Sequence, residues 1–173
     1  DYFRKKGITP IRLDARKTNF KKAVVDGVKI ACQEKIERDR RKGILNRPIR
    51  AMVVGIPNVG KSTLLNHILK TKLVITSPTA QTTRNTVQGV YTDDEAQIVF
   101  VDTPGIHKPQ QQLGRVLNKN AYSAMEDCDV IGWIVDGSQS FGTGDSFILK
   151  RIETLHKPVV LIMNKIDKLP KEQ

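Results

Sequence analysis

The stretch Gly55-Ile56-Pro57-Asn58-Val59-Gly60-Lys61-Ser62 limits what this chain can become more than any other. It follows a nearly continuous apolar run, Ile49-Arg50-Ala51-Met52-Val53-Val54, and leads into a helical pattern from Ser62 to Leu69. An unbroken apolar run bounded by a turn is the mark of a strand buried on both faces of a parallel sheet. A glycine loop passing from such a strand into a helix aims backbone N–H groups and the positive end of the helix dipole at one point. The spacing G-x-x-x-x-G-K-S is that of a loop wrapped around phosphates, with the lysine reaching the outer phosphates and the serine hydroxyl ligating Mg²⁺. Gly55, Pro57, Asn58, Val59, Gly60, Lys61, Ser62 and Thr63 are therefore expected at a nucleotide, with Lys61 also catalytic and Ser62 a metal ligand.

The rest of the chain supplies a sheet in which that loop makes sense. Ile8 to Ala15 alternates in part and reads as a short strand. Apolar residues Val24, Val25, Val28, Ile30, Ala31 and Ile36 recur at helical spacing, which predicts one amphipathic helix from Phe20 to Arg41, with Gly43 as its C-cap. Beyond the loop, Thr86 to Tyr91 and Gln97 to Val101 read as two strands joined by the acidic turn Asp93-Asp94-Glu95. A helix over Gly114 to Met125, a buried strand over Val130 to Val135, a helix over Ser146 to Leu155 and a strand over Pro158 to Met163 follow. Strands alternating with helices predict an α/β fold with a mostly parallel six-stranded sheet, helices on both faces and one antiparallel edge pair. Ligands in such folds bind beyond the carboxyl ends of the strands.

Two further motifs sit at those ends. Asp102-Thr103-Pro104-Gly105 closes the strand that precedes it, so Asp102 is placed to hold Mg²⁺ and the Gly105 amide to meet the γ-phosphate. Asn164-Lys165-Ile166-Asp167 follows the last buried strand. A carboxylate there can accept two hydrogen bonds from the N1–H and exocyclic amine of guanine, a pair that adenine lacks, so Asn164, Lys165 and Asp167 select GTP and GDP. Between the motifs, Gln81-Thr82-Thr83-Arg84 offers a switch threonine for the metal and the γ-phosphate, Thr83 first and Thr82 as the alternative. Ile106 follows Gly105, and an aliphatic side chain cannot orient water, so hydrolysis is expected to be slow or to rely on a partner or a monovalent cation. His107 lies nearby, and a lone exposed histidine reads as an incidental surface residue more readily than as a catalytic group.

Charge is distributed unevenly. The formal net charge is +11, and residues 1 to 50 hold 16 basic and 6 acidic side chains against 13 and 12 in the remainder. A polyanionic partner such as RNA and a solvated helix face both account for that excess. No window approaches the length of a membrane span, and the start Asp1-Tyr2-Phe3-Arg4-Lys5-Lys6 lacks the apolar core of a signal peptide. Cys32 and Cys128 match no metal or redox spacing, which makes the cytoplasm the expected location.

From Lys61 to Gln173 the chain closely resembles the GTPase domain of Era-type ribosome-assembly proteins, through Lys61 to Lys70, Ala80 to Arg84, Asp102 to His107 and Asn164 to Asp167. The resemblance implies a Ras-like P-loop G domain, GTP hydrolysis, ribosomal RNA or a ribosomal subunit as partner, and peripheral association with the inner membrane. Residues 1 to about 60 resemble instead the circularly permuted ribosome-assembly GTPases of the YlqF/RbgA kind, in the basic helix with Glu37-Arg38-Asp39-Arg40 and in Arg47-Pro48-Ile49-Arg50 leading into the loop. That likeness implies that Asp14 and Ala15 stand at the fifth guanine-contacting motif, where the Ala15 amide meets the guanine O6. It also implies a single GTP-binding domain over 1–173 in permuted element order, with 1–48 supplying the last strand and basic helix and 49–173 the motif-bearing core, as in a chimera of the two families. Asn58 matches a loop asparagine that helps bind an activating K⁺ ion in relatives of both. An RNA-binding, nucleotide-sensing module with little turnover is the alternative reading.

Overall fold

The computed structural model describes residues 2–6, 8–12, 20–45, 47–70, 87–103, 119 and 122–168. Its elements are α1 (Tyr2–Lys5), β1 (Ile8–Arg12), α2 (Phe20–Ala31), α3 (Gln33–Arg41), β2 (Ile49–Val54), α4 (Lys61–Leu69), β3 (Val87–Thr92), β4 (Gln97–Asp102), β5 (Val130–Asp136), α5 (Thr143–Leu155) and β6 (Val159–Asn164), then a 3-10 turn, Ile166–Lys168. Residues 122–127 are helical as well.

Alternation along the strands decides the layering. Successive side chains of a strand point to opposite faces, and Ile49, Ala51 and Val53 of β2 join one core while Met52 and Val54 join the other. Against the first face lie Phe20, Val24, Val25 and Val28 of α2 and Leu64, Leu65 and Ile68 of α4. Against the second lie Met125 and the Ile148, Leu149 and Ile152 stripe of α5, around Trp133. Burial on both faces explains why the strands read as apolar runs.

The strands pair in the order β1-β6-β5-β2-β4-β3. All neighbours are parallel except β3 and β4, which run antiparallel from Val87↔Asp102 to Thr92↔Gln97. Asp93 makes the β3–β4 turn by accepting on Oδ1 from the N–H groups of Glu95 at 3.0 Å and Ala96 at 2.8 Å. Among the parallel pairs β1 lies outermost, matching Ile8 to Val159 and Arg12 to Met163.

Residues before the loop are packed. Lys29 of α2 donates to Asp93 Oδ2 at 2.8 Å and Glu95 Oε2 at 2.7 Å, and Lys35 of α3 meets Asp39 at 3.2 Å and Asp129 at 3.7 Å. The helix expected from Phe20 to Arg41 is in fact two. Cys32, at φ −100° and ψ 9°, ends α2 and opens α3, which turns its thiol into the core while Lys35 swings toward Asp129. Periodicity alone cannot register such a bend, because hydrogen bonds continue through it, from Cys32 N–H to the Val28 carbonyl and from Ile36 N–H to that of Cys32, both at 3.0 Å. Gly43 does close α3. At φ 76° it donates to Arg40 O, while Ile44 N–H reaches back to Asp39 O, the two bonds of a Schellman motif.

Two other boundaries shift. The helix expected from Ser146 starts at Thr143, because Asp145 accepts from the Gly142 N–H at 3.1 Å and caps a turn that has no apolar periodicity. In the 114–125 span only residues 119 and 122–125 are described, and helix runs on through 127. The short helix α1 was not expected at all; Phe3 packs edge-on to Trp133 with ring centres 6.0 Å apart.

Candidate functional site

β2, β4, β5 and β6 all end on one side, and the loop between β2 and α4 lies across those ends. Its glycines are there for space. A Cβ on Gly55 would sit 2.7 Å from the Ile134 carbonyl oxygen, and one on Gly60, at φ 96°, would sit 2.5 Å from Asn164 Nδ2. The loop therefore lies directly on β5 and on the last residue of β6. Asn58 also takes a left-handed backbone, at φ 66°.

At the mouth of α4, Lys61 is only 7% exposed and its ammonium has two long contacts, 3.4 Å each, to the carbonyls of Gly55 and Ile56. Burial pulls its pKa down, and Asp102 partly opposes that. Ser62 Oγ donates to Asp102 Oδ2 at 3.0 Å, and Asp102 is fully buried at the end of β4. A buried cation, a hydroxyl and a carboxylate beside a helix N-terminus form a cradle for an anion with a hard divalent cation. The oxygen donors suit Mg²⁺, which takes one or two protein ligands and leaves the rest to water and phosphate. Thr103, buried next to Asp102, donates to the Val53 carbonyl at 3.1 Å and ties the end of β4 to β2.

Farther along the cleft, Asn164 Nδ2 donates to the Val59 carbonyl at 2.9 Å. Lys165, left-handed at φ 58°, donates through Nζ to the Asn58 carbonyl and to Asp136 Oδ2, both at 2.8 Å. Asp136 Oδ1 accepts from the Ser138 N–H at 3.0 Å and from its hydroxyl at 2.6 Å. Burial pushes the Asp136 carboxyl up, but the bonds from Lys165 and Ser138 outweigh it and hold the group below the ordinary carboxylate range. A cavity of about 280 Å³ opens here, lined by Gly60, Thr63, Leu64, Asn164, Lys165 and Asp167 together with Phe20 of α2 and His67 of α4.

Of the residues expected from sequence, Gly55, Gly60, Lys61, Ser62 and Asp102 meet at one end of the cleft, and Thr63, Asn164, Lys165 and Asp167 at the other, with Asn58 and Val59 between them. Pro57 is a half-buried loop residue. Thr82, Thr83, Gly105, Ile106, His107, Asp14 and Ala15 lie outside the described residues. Sequence reasoning missed Thr103, Asp136, Ser138 and Phe20. Asp136 carried a usable signal, an acidic residue ending an apolar strand just as Asp102 does.

The family described as 50S ribosome-binding GTPase matches residues 50–165, which run from the second residue of β2 through β6 and take in the phosphate loop, Asp102, Asn164 and Lys165. The chain belongs to that family. GTPase Era of Halothermothrix orenii is 56% identical over 120 residues, which covers 69% of this chain and 41% of that protein. The crystal structure of Era in complex with MgGDPNP and nucleotides of 16S ribosomal RNA superposes with a TM-score of 0.69 at 44% identity, covering 72% of this chain and 42% of that one. Era of Aquifex aeolicus bound to GDP and AlF4⁻ gives 0.66 at 46% identity, over 69% and 41%. The five strands of the matched segment form the mostly parallel α/β sheet of a Ras-like G domain. The chain spans about two-fifths of the length of the curated relatives it matches. No helix among the described residues is long and apolar enough to cross a membrane.

Proposed function

We propose that this chain binds GTP and GDP with Mg²⁺, hydrolyses GTP to GDP and phosphate, and works as a nucleotide-dependent switch in ribosome assembly. The observation that carries the reading is the convergence in one cleft of the buried Lys61, the Ser62–Asp102 pair and the Asn164-Lys165-Ile166-Asp167 segment. In it Lys61 and the loop amides from Asn58 to Thr63 bind the β- and γ-phosphates, Ser62 and Asp102 hold the metal, and Asp167 accepts the two guanine donors while Asn164 braces the phosphate loop. Thr83, or Thr82 in its place, and Gly105 complete the γ-phosphate end. Bound Mg²⁺ neutralises charge on the phosphate oxygens, which is the chemistry the side chains alone do not supply. Asn58 contributes to a K⁺ site, and this fits Ile106 in the position where a water-orienting side chain would stand.

The same reading assigns β1 and α2 to the place of the last strand and last helix of a G domain, so that 1–173 is one domain in rotated order, with Asp14 and Ala15 at the guanine O6. Parallel pairing of β1 on the outer edge of β6, and Phe20 lining the cavity that Asp167 lines, support it. So does the likeness of residues 1 to 60 to the YlqF/RbgA kind, from which a chimera joined at the shared phosphate loop follows. Ribosomal RNA as partner is supported by the Era relative solved with 16S ribosomal RNA and by the exposed Arg38, Arg40, Arg41 and Lys42 of this chain. Buried free cysteines fit a cytoplasmic setting, with any membrane contact peripheral.

The test is a titration of a fluorescent GDP analogue, with GTP and ATP as competitors and phosphate release as the second readout, on the whole chain and on a form starting at Arg47. Guanine-selective binding with Mg²⁺-dependent release by the whole chain, lost on truncation, is expected. ATP competing as well as GTP defeats the guanine assignment, and equal binding by both forms defeats the rotated one. The net charge of +11 favours a second reading, an RNA-holding module without turnover, which salt-dependent RNA binding with no phosphate release would establish.

A further inference from the structure

Asn58 and Lys165, two non-glycine residues of the cleft with left-handed backbones, are joined to each other by the bond from Lys165 Nζ to the Asn58 carbonyl. A lysine ammonium on a flexible four-carbon stem prefers water, and a single neutral carbonyl is a weak reason for it to stay. The second contact of that ammonium, 2.8 Å from Asp136 Oδ2, is of a different kind. It is a charge-assisted bond to a carboxylate whose side chain is only 6% exposed and whose other oxygen is fixed by two donors of Ser138. Asp136 belongs to neither segment it holds. It ends β5, the strand between the one that leads into the phosphate loop and the one that leads into the base segment.

We propose that Asp136 is a positioning residue of the nucleotide site, anchoring the Lys165 ammonium on the Asn58 carbonyl and thereby locking the guanine-reading segment to the phosphate loop. This rests on the guanine-nucleotide reading above and extends it to a residue outside all its motifs. The lock is rigid because β5 is central in the sheet, so the carboxylate has a fixed origin. Without its charge Lys165 is free to leave for solvent, and base segment and phosphate loop hold a nucleotide independently rather than together. The consequence is kinetic: a ligand gripped by both segments escapes faster when they open separately.

Dissociation of a fluorescent GDP analogue from the whole chain, chased with excess GDP, tests this in the unaltered protein, Asp136→Asn, Lys165→Met and the double variant. Asp136→Asn is expected to release the analogue about tenfold faster, with the nucleotide-free protein still folding cooperatively at a somewhat lower thermal midpoint, and the double variant to release it no faster than Lys165→Met alone. Ser138→Ala, which keeps the carboxylate but loosens it, is expected to give about a threefold increase and serves in its place where Asp136→Asn does not fold. Binding by the unaltered chain with no acceleration in Asp136→Asn, or with effects that multiply in the double variant, overturns this inference alone. Failure of the unaltered chain to bind the analogue overturns the guanine reading and this inference with it.

Discussion

Residues 50–165 and the segment before them are packed into the same two cores, yet they are built on different information. In the later region single residue types are irreplaceable: a Cβ at Gly60 would collide with Asn164, and the Ser62–Asp102 pair needs oxygen at both ends. In the earlier region any apolar residue of the right size at Val24, Val25 or Val28 would serve, and charge of the right sign suffices at Lys29. Chemistry is specified by identity and docking by pattern. Substitutions at the cleft residues of the later region should therefore damage ligand handling with little effect on folding, and those at the docking residues of the earlier region the reverse.

Lys61→Ala should give the largest effect, a loss of about a hundredfold or more in GTP turnover. Because the ammonium is buried and its charged form disfavoured, the unfolding midpoint of the nucleotide-free protein should hold or rise. Thermal denaturation beside a phosphate-release assay checks both, and a falling midpoint would show that the lysine holds the fold together, erasing the contrast. Next comes Val24→Asp, which puts an unpaired charge at a site 2% exposed and should lower the unfolding free energy by about 3 kcal/mol in a urea titration. No change there would mean that the early segment does not dock.

The smallest effect concerns the tie between the regions. Lys29 beside Asp93, helped by the Ala96 and Glu95 amides against the opposing effect of burial, holds the Asp93 carboxyl at about 2, below its ordinary value. A depressed folded-state pKa adds stability that is present above the unfolded pKa near 4 and is lost as pH falls through about 2. With the carboxylate partly exposed, the amount should be about 1 kcal/mol or less. Comparing acid unfolding of the chain with that of Lys29→Gln measures it, and identical acid limbs would remove this link from the comparison.

Legibility in the sequence followed the same division. Gly55 to Ser62, Asp102 and Asn164 to Asp167 could be located because fixed spacings leave a trace, and the buried strands because apolar runs do. The bend at Cys32 left none, since the contact that accompanies it, Lys35 with Asp129, joins residues far apart in sequence; the early start of α5 at Thr143 left only a local one, Asp145 three residues after Gly142, outside any apolar period. Asp136 left a partial trace, an acidic residue ending an apolar run, but no sign of its partner. Its role lies in meeting a residue 29 positions later, and no motif spans that interval.

The edge pairing of β1 with β6 also sets an order of events in time. Ile8 is made about 150 residues before its partner Val159, and closing so long an interval is entropically costly and slow. Until then Val24, Val25 and Val28 have the cluster residues of β2, α4, β4 and β5 available to them and lack Val160 and Ile162. The nascent chain thus carries an apolar helix with three lysines whose packing is completed long after its own residues are made, a window in which a chaperone or an RNA surface can hold it.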